Sequence, residues 1–276
     1  MEKFFPSREG KKEDVVLGAI AGDIIGSVYE GRPMKGKDFP LFLPESHFTD
    51  DTVLTVAVAK AVMEDRDYRR WLWTIGRQYM GVGYGASFRR WLQAHDPKPY
   101  NSWGNGAAMR VSPIGFAFDD IDTVLTEARR SAEVSHNHPE GIKGAQATAL
   151  VVFLARTTHD KDRIREEITR RFGYHLSPIE EIRPHYSFDV SCQATVPAAI
   201  SAFLDSSSYE EAIRNAISLG GDADTLACIA GGFAEAYYGP VAPYIVEELK
   251  RRLPEDLWQI AVRFWQKYVL ARFASP

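Results

Sequence analysis

Residues 15–30 read VVLGAIAGDIIGSVYE. Apolar residues keep a helical period through this run, and Asp14 ahead of it suits an N-cap. Gly18, Gly22 and Gly26 recur at every fourth position, so a helix places them on one face. Glycine weakens a helix. Three at this spacing therefore predict another backbone, or a ligand, in close approach on that face. Asp23 stands among Gly, Ala and Ile, where a carboxylate must find a partner, reach solvent or cap another helix. Glu30 lies seven positions on, at the C-terminal end, where the helix dipole disfavours negative charge.

The same period governs the rest of the chain. Helices are predicted over 53–63, 67–80, 88–93, 107–118 with a break at Pro113, 122–134, 139–157, 161–172 and 191–204. Ser208 with Glu211 matches a capping box for another. A buried helix runs on to Tyr238, then come 241–252 and a last helix through Leu270. Residues 39–43 and 174–182 are the places where short strands would fit. No strand–helix alternation, fixed repeat or low-complexity linker divides the chain. The reading is all-α, one domain over residues 1–276, with solenoid packing as the weaker option.

The composition agrees. The chain has 276 residues, 45% hydrophobic and 25% charged, ordinary values for a globular protein. Its 33 basic and 37 acidic residues give a net charge of −4, which does not favour a stable nucleic-acid complex. Cys192 and Cys228 form no CxxC pair and read as buried structural thiols. The N-terminal residues carry acidic groups and a proline before any apolar run, unlike a signal peptide. No apolar stretch approaches the roughly 18 residues of a membrane span. A cytoplasmic protein with no membrane partner is expected.

The strongest chemical signal is acidic and split between two distant helix starts. Thr49, Asp50 and Asp51 precede one helix; Asp222, Asp224 and Thr225 precede another. One carboxylate at a helix N-terminus is a cap. A second beside it adds repulsion. If the two starts meet, four carboxylates and two hydroxyls converge, which requires a cation or protonation. All-oxygen donors suit Mg²⁺, Ca²⁺ or Mn²⁺.

Residues 102–110 read SWGNGAAMR, a glycine-rich turn into a helix whose free amides suit phosphate. The segment lacks the Walker lysine and follows no predicted strand, so neither a P-loop nor a dinucleotide fingerprint is supported. His136 and His138, two apart beside Pro139, suggest a ligand or phosphate contact. Tyr100 and Trp103 lie in polar loop sequence and are candidates to stack on a base or sugar.

These pieces, in this order, resemble the ADP-ribosylglycohydrolases, the family that includes the dinitrogenase-reductase-activating glycohydrolase. The resemblance rests on residues 22–30, 48–52, 104–110, 135–141 and 220–225, and spans nearly the whole chain. It implies a compact orthogonal helical bundle around two Mg²⁺ ions, with Mn²⁺ as a substitute. Thr49, Asp50 and Asp51 would bind metal from one side, and Asp222, Asp224 and Thr225 from the other. The substrate would be an ADP-ribosylated protein or other macromolecule, cleaved at the anomeric carbon to release free ADP-ribose. Its diphosphate would lie near Ser102, Asn105 and Gly106, and its adenosine toward Tyr100. His136 or His138 would help hold the phosphates. Glu30, Asp50 or Asp51 would serve as the catalytic acid or base, and residues 31–47 as a mobile lid. Ala107 stands where the family commonly has glycine. A protein that binds ADP-ribose without cutting it, or a dimetal hydrolase of free nucleotides or phosphate esters, are the competing readings.

Overall fold

A computed structural model describes residues 17–270. Fourteen α-helices occur among them, in chain order α1 Gly18–Gly26, α2 Asp50–Met63, α3 Tyr68–Gly76, α4 Ala86–Gln93, α5 Ser112–Ala117, α6 Ile121–Glu133 and α7 Pro139–Thr158. The second half holds α8 Lys161–Phe172, α9 Ile179–Ile182, α10 Cys192–Leu204, α11 Tyr209–Ile217, α12 Ala223–Tyr238, α13 Pro243–Arg252 and α14 Glu255–Trp265. Asp14 and the first residues of the run 15–30 lie outside the described residues. No described helix is long and apolar enough to cross a membrane.

The caps explain most boundaries. Side chains of Asp67, Asp120, Asp160, Ser191 and Ser208 each accept an N–H from the first turn that follows. Pro113 and Pro139 sit in the first turns of α5 and α7, where proline's missing N–H costs nothing. Gly173 ends α8 in the left-handed conformation. Glu211 departs from the expected capping box by reaching the N–H and hydroxyl of Ser207 instead of the N–H of Ser208.

No strand forms among the described residues; a single bridge joins Gly104 to Ser191. Residues 39–43 find no neighbouring strand. Their carbonyls are taken by side chains instead: Phe39 by Arg214, Pro40 by Tyr29, and Leu43 by Arg252. The expected strand at 174–182 is an extended entry followed by α9.

α1 packs chiefly on α12, nearly 200 residues away in sequence. The three glycines make this possible. A Cβ at Gly18, Gly22 or Gly26 would stand 2.5, 2.0 or 2.5 Å from the carbonyl oxygens of Gly231, Ala227 and Ala223. The predicted close approach is thus backbone against backbone. Glu235, near the end of α12, closes the contact by accepting the N–H groups of Leu17 and Gly18. One hydrophobic cluster continues from Leu17 through to Val269.

Candidate metal centre

The α1–α12 contact fixes where the acidic helix starts meet. Asp23, on α1, is fully buried. Its carboxylate accepts Thr49 N at 2.9 Å, Thr49 Oγ1 at 2.7 Å and Thr52 N at 3.1 Å, with Thr52 Oγ1 as a fourth donor. Asp23 therefore caps α2 from another helix, one of the options its sequence setting left open. Burial and the charge of Asp224 push its carboxyl up to about 7, against those hydrogen bonds. α1 thus holds the start of α2 with its carboxylate and the start of α12 with its glycine face.

Thr225 Oγ1, in the first turn of α12, lies 3.3 Å from Asp51 Oδ1, so the two acidic segments are in contact. Thr49, Asp51, Asp222, Asp224 and Thr225 are buried, Asp50 is half-buried and Glu30 is exposed. α1 ends at Gly26, so Glu30 stands on the turn beyond it and not on the last helical residue. One oxygen each from Glu30, Asp222 and Asp224 lie within 4.8 Å of one another. Opposed ligands of a six-coordinate Mg²⁺ are about 4.2 Å apart, twice a 2.1 Å bond.

The electrostatics call for a cation or for protonation. Five carboxylates line one cavity, and no lysine or arginine is among the residues that line it. Burial, then the charge of Asp224, pushes the Asp50 carboxyl up to about 8 and holds Glu30 above the ordinary range. Asp51 and Asp222 are driven well up for the same two reasons. Asp51 Oδ2 is buried with no hydrogen-bond partner among the described residues. An oxygen left bare in a wall of like charges, and a donor set made only of oxygen, fit a hard divalent cation.

The cavity measures about 860 Å³, within the range of small-molecule sites. Glu30 and the two acidic segments line it together with Tyr100, Ser102, Gly104, Asn105, Gly106 and His136. Distant sequence signals therefore share one space. Their individual orientations differ from a simple ligand shell. The Asn105 amide nitrogen donates to Asp222 Oδ2 at 2.7 Å and Thr195 Oγ1 at 3.1 Å. Its backbone N–H is spent on Val190 O at 2.7 Å. Asn105 thus steadies the Asp222 carboxylate, and Gly106 lines the cavity beside it. Ser102 Oγ accepts from Gly104 N at 3.0 Å, which shapes the turn. Tyr100 packs beside His136 with ring centres 5.4 Å apart.

His138 is placed elsewhere. Its Nδ1 accepts Glu140 N and caps α7, and its ring meets Trp103 edge-on, away from the cavity lining. Trp103 is 52% exposed. Both cysteines are buried and unpaired, as read from the sequence.

The sequence reading did not name His47 for the site. Its Nδ1 bonds Glu45 O at 2.8 Å, its backbone N–H bonds Ser27 Oγ at 3.1 Å, and it lines the cavity. Nothing in its local sequence marks it, since its position follows from the path of residues 31–47. That segment is tied down at several points. Lys35 bonds Tyr186 O and Leu219 O, Arg214 bonds Lys37 O and Phe39 O, and Arg252 bonds Leu43 O and Ser46 O. Motion of the expected lid would have to break these bonds.

A profile of the ADP-ribosylglycohydrolase family matches residues 6–272. The ADP-ribosylhydrolase ARH3 of Mus musculus is 26% identical, the match covering 93% of this chain and 89% of that protein. The ADP-ribosylarginine hydrolase Tri1 of Pseudomonas putida is 25% identical, covering 83% of this chain and 71% of that one. A solved structure described as an ADP-ribosylglycohydrolase-related protein complex superposes with a TM-score of 0.70 at 26% identity, over 93% of this chain and 99% of that chain.

Proposed function

The chain belongs to the ADP-ribosylglycohydrolase family and is a hydrolase of ADP-ribose linkages, and from that premise we propose that it works with two Mg²⁺ ions on an ADP-ribosylated protein. The observation that carries this reading is the convergence of Glu30, Asp50, Asp51, Asp222 and Asp224 on one cavity with no lysine or arginine among its lining residues. Thr49, Asp50 and Asp51 would hold metal from the α2 side, and Asp222, Asp224 and Thr225 from the α12 side. Bound there, the ions would supply Lewis-acid orientation of ribose hydroxyls and of a water molecule.

In the reaction, the water oxygen bonds to the anomeric carbon, the bond from that carbon to the linked side chain breaks, and the departing atom takes a proton. Glu30 is the exposed member of the acidic set, so it is the carboxyl that an entering macromolecular side chain meets. Partial burial and the charge of Asp224 hold its carboxyl above the ordinary range, which favours the protonated form a general acid needs. Asp50 and Asp51 have the deeper places and serve as ligands. The open Gly104–Gly106 turn with His136 takes the diphosphate, and Tyr100 bounds the space toward the nucleoside. Arginine- and serine-linked substrates both fit these statements.

The test is release of free ADP-ribose from arginine-, serine- and nucleobase-linked substrates, each with Mg²⁺ and with chelator. Metal-dependent release from one of them is expected, with Asp50→Asn and Asp224→Asn each losing most of it. Release of AMP or phosphate instead would overturn the reading in favour of a nucleotide or phosphate-ester hydrolase. Tight ADP-ribose binding with no release from any linkage would overturn it in favour of a binding protein.

A further inference from the structure

Arg110 has no exposed surface. Its Nη2 donates to Ser131 O at 2.7 Å and to Ser135 Oγ at 3.0 Å, while Nε and Nη1 have no partner among the described residues. No carboxylate hydrogen-bonds to it among the described residues; the Phe88 ring, its centre 5.9 Å from the guanidinium carbon, gives it a cation–π contact instead. Water cannot screen it there as it would at the surface.

A guanidinium only donates hydrogen bonds. Ser135 Oγ is therefore the acceptor from Arg110, and its own hydrogen is free to go onward. Ser135 Oγ lies 2.8 Å from His136 Nδ1. No other acceptor meets that hydroxyl among the described residues. Only with Nδ1 as the bare ring nitrogen does the Ser135 hydroxyl hydrogen find an acceptor, which favours the tautomer with the ring hydrogen on Nε2. Nε2 faces the glycine turn: a Cβ at Gly106 would stand 3.2 Å from it, and one at Gly104 3.6 Å. The two glycines leave open the space that this N–H addresses.

We propose that Arg110 and Ser135 are positioning residues for the substrate's diphosphate, a one-way donor chain that fixes His136 as its Nε2–H tautomer and turns that hydrogen toward the Gly104–Gly106 turn. The assignment of the anion rests on the function proposed above. Two further facts support it. Burial and the neighbouring Arg110 charge hold the His136 ring well below its usual titration range, so it is neutral and has one bare nitrogen to accept the Ser135 hydroxyl. The carboxylates elsewhere in the cavity repel a diphosphate, and the buried guanidinium that acts on His136 opposes that repulsion on this side. A donor lost here would cost about tenfold or more in anion affinity, the usual range for a hydrogen bond to a charged group.

The test reads the ring directly. The full chain is labelled with ¹⁵N-histidine and examined without metal or ligand between about pH 6 and 8, His136 being assigned by its loss in His136→Gln. A single Nε2–H tautomer is expected in the wild type. Ser135→Ala should mix the tautomers and weaken ADP-ribose binding about tenfold while adenosine binding stays unchanged; Ser135→Thr should restore both. A wild-type Nδ1–H tautomer would overturn the proposal, and so would a pure Nε2–H tautomer in folded Ser135→Ala. The wild-type reading decides the matter even where Ser135→Ala does not fold. An Nε2–H tautomer in a protein that binds no ADP-ribose would overturn the substrate reading and uphold the donor chain.

Discussion

Glu235 spends both carboxylate oxygens on the N–H groups of Leu17 at 3.1 Å and Gly18 at 2.7 Å. Burial nevertheless pushes its carboxyl up to about 8. The folded chain therefore binds this proton more tightly than the unfolded chain, whose glutamate titrates near 4.5. The group's contribution to stability is complete below that lower value and is lost as pH rises through about 8. Glu235→Gln should flatten this fall, and because its amide nitrogen cannot accept one of the two N–H groups it should lower stability at neutral pH by about 1–3 kcal/mol. Urea midpoints across that window check it. Asn105 offers a second residue-level expectation. With its amide gone, Asp222 loses its 2.7 Å donor, and Asn105→Ala should weaken Mg²⁺ or Mn²⁺ binding by about 10–100-fold in calorimetry. The acidic residues were legible in the sequence because a second aspartate beside a cap is superfluous as a cap. Asn105's inward turn was not, because the Asp222 it serves is 117 positions away.

Among the elements, the α1–α12 pair makes the sharpest demand on sequence. A methyl at Gly22 would stand 2.0 Å from the Ala227 carbonyl oxygen, a backbone atom with no flexible end to swing aside. Gly22→Ala should force the helices apart and cost about 3 kcal/mol, at the upper end of ordinary overpacking. Because α1 carries Asp23, activity should fall with it. Gly36→Ala meets nothing within 4 Å and should leave both melting temperature and turnover unchanged, which makes it the control. This interface was legible because glycines at every fourth position have few other uses. The segment 39–43 was misread for the opposite reason. Its apolar residues do pack inward, but the carbonyl partners are Tyr29 and arginines from α11 and α13, and a strand pattern carries no record of them.

For the whole molecule, the concentration of like charge in one cavity ties stability to metal. A ligand bound only by the folded state stabilises it by about 2.7 kcal/mol at a hundredfold excess over its dissociation constant. For a chain of this size that is roughly 5–10 °C. Mg²⁺ should raise the melting temperature by that amount, chelator should reverse it, and Asp224→Asn should respond to neither. The helical class, the order of the site segments and their meeting were all legible. The tethering of residues 31–47 and the place of His47 were not, since both depend on which helices the segment crosses.

The pairing of α1 with α12 also bears on how the protein is made. α1 is nine residues long with three glycines, too short and too glycine-rich to persist as an isolated helix. Its partner leaves the ribosome about 200 residues later, a delay of roughly 10–40 s at ordinary elongation rates. Until then its apolar residues have no α12 to cover them, and Asp23 can steady α2 only in passing. The nascent chain thus carries an unfinished N-terminal segment through most of its synthesis, and the acidic cavity cannot be completed before α12 has emerged.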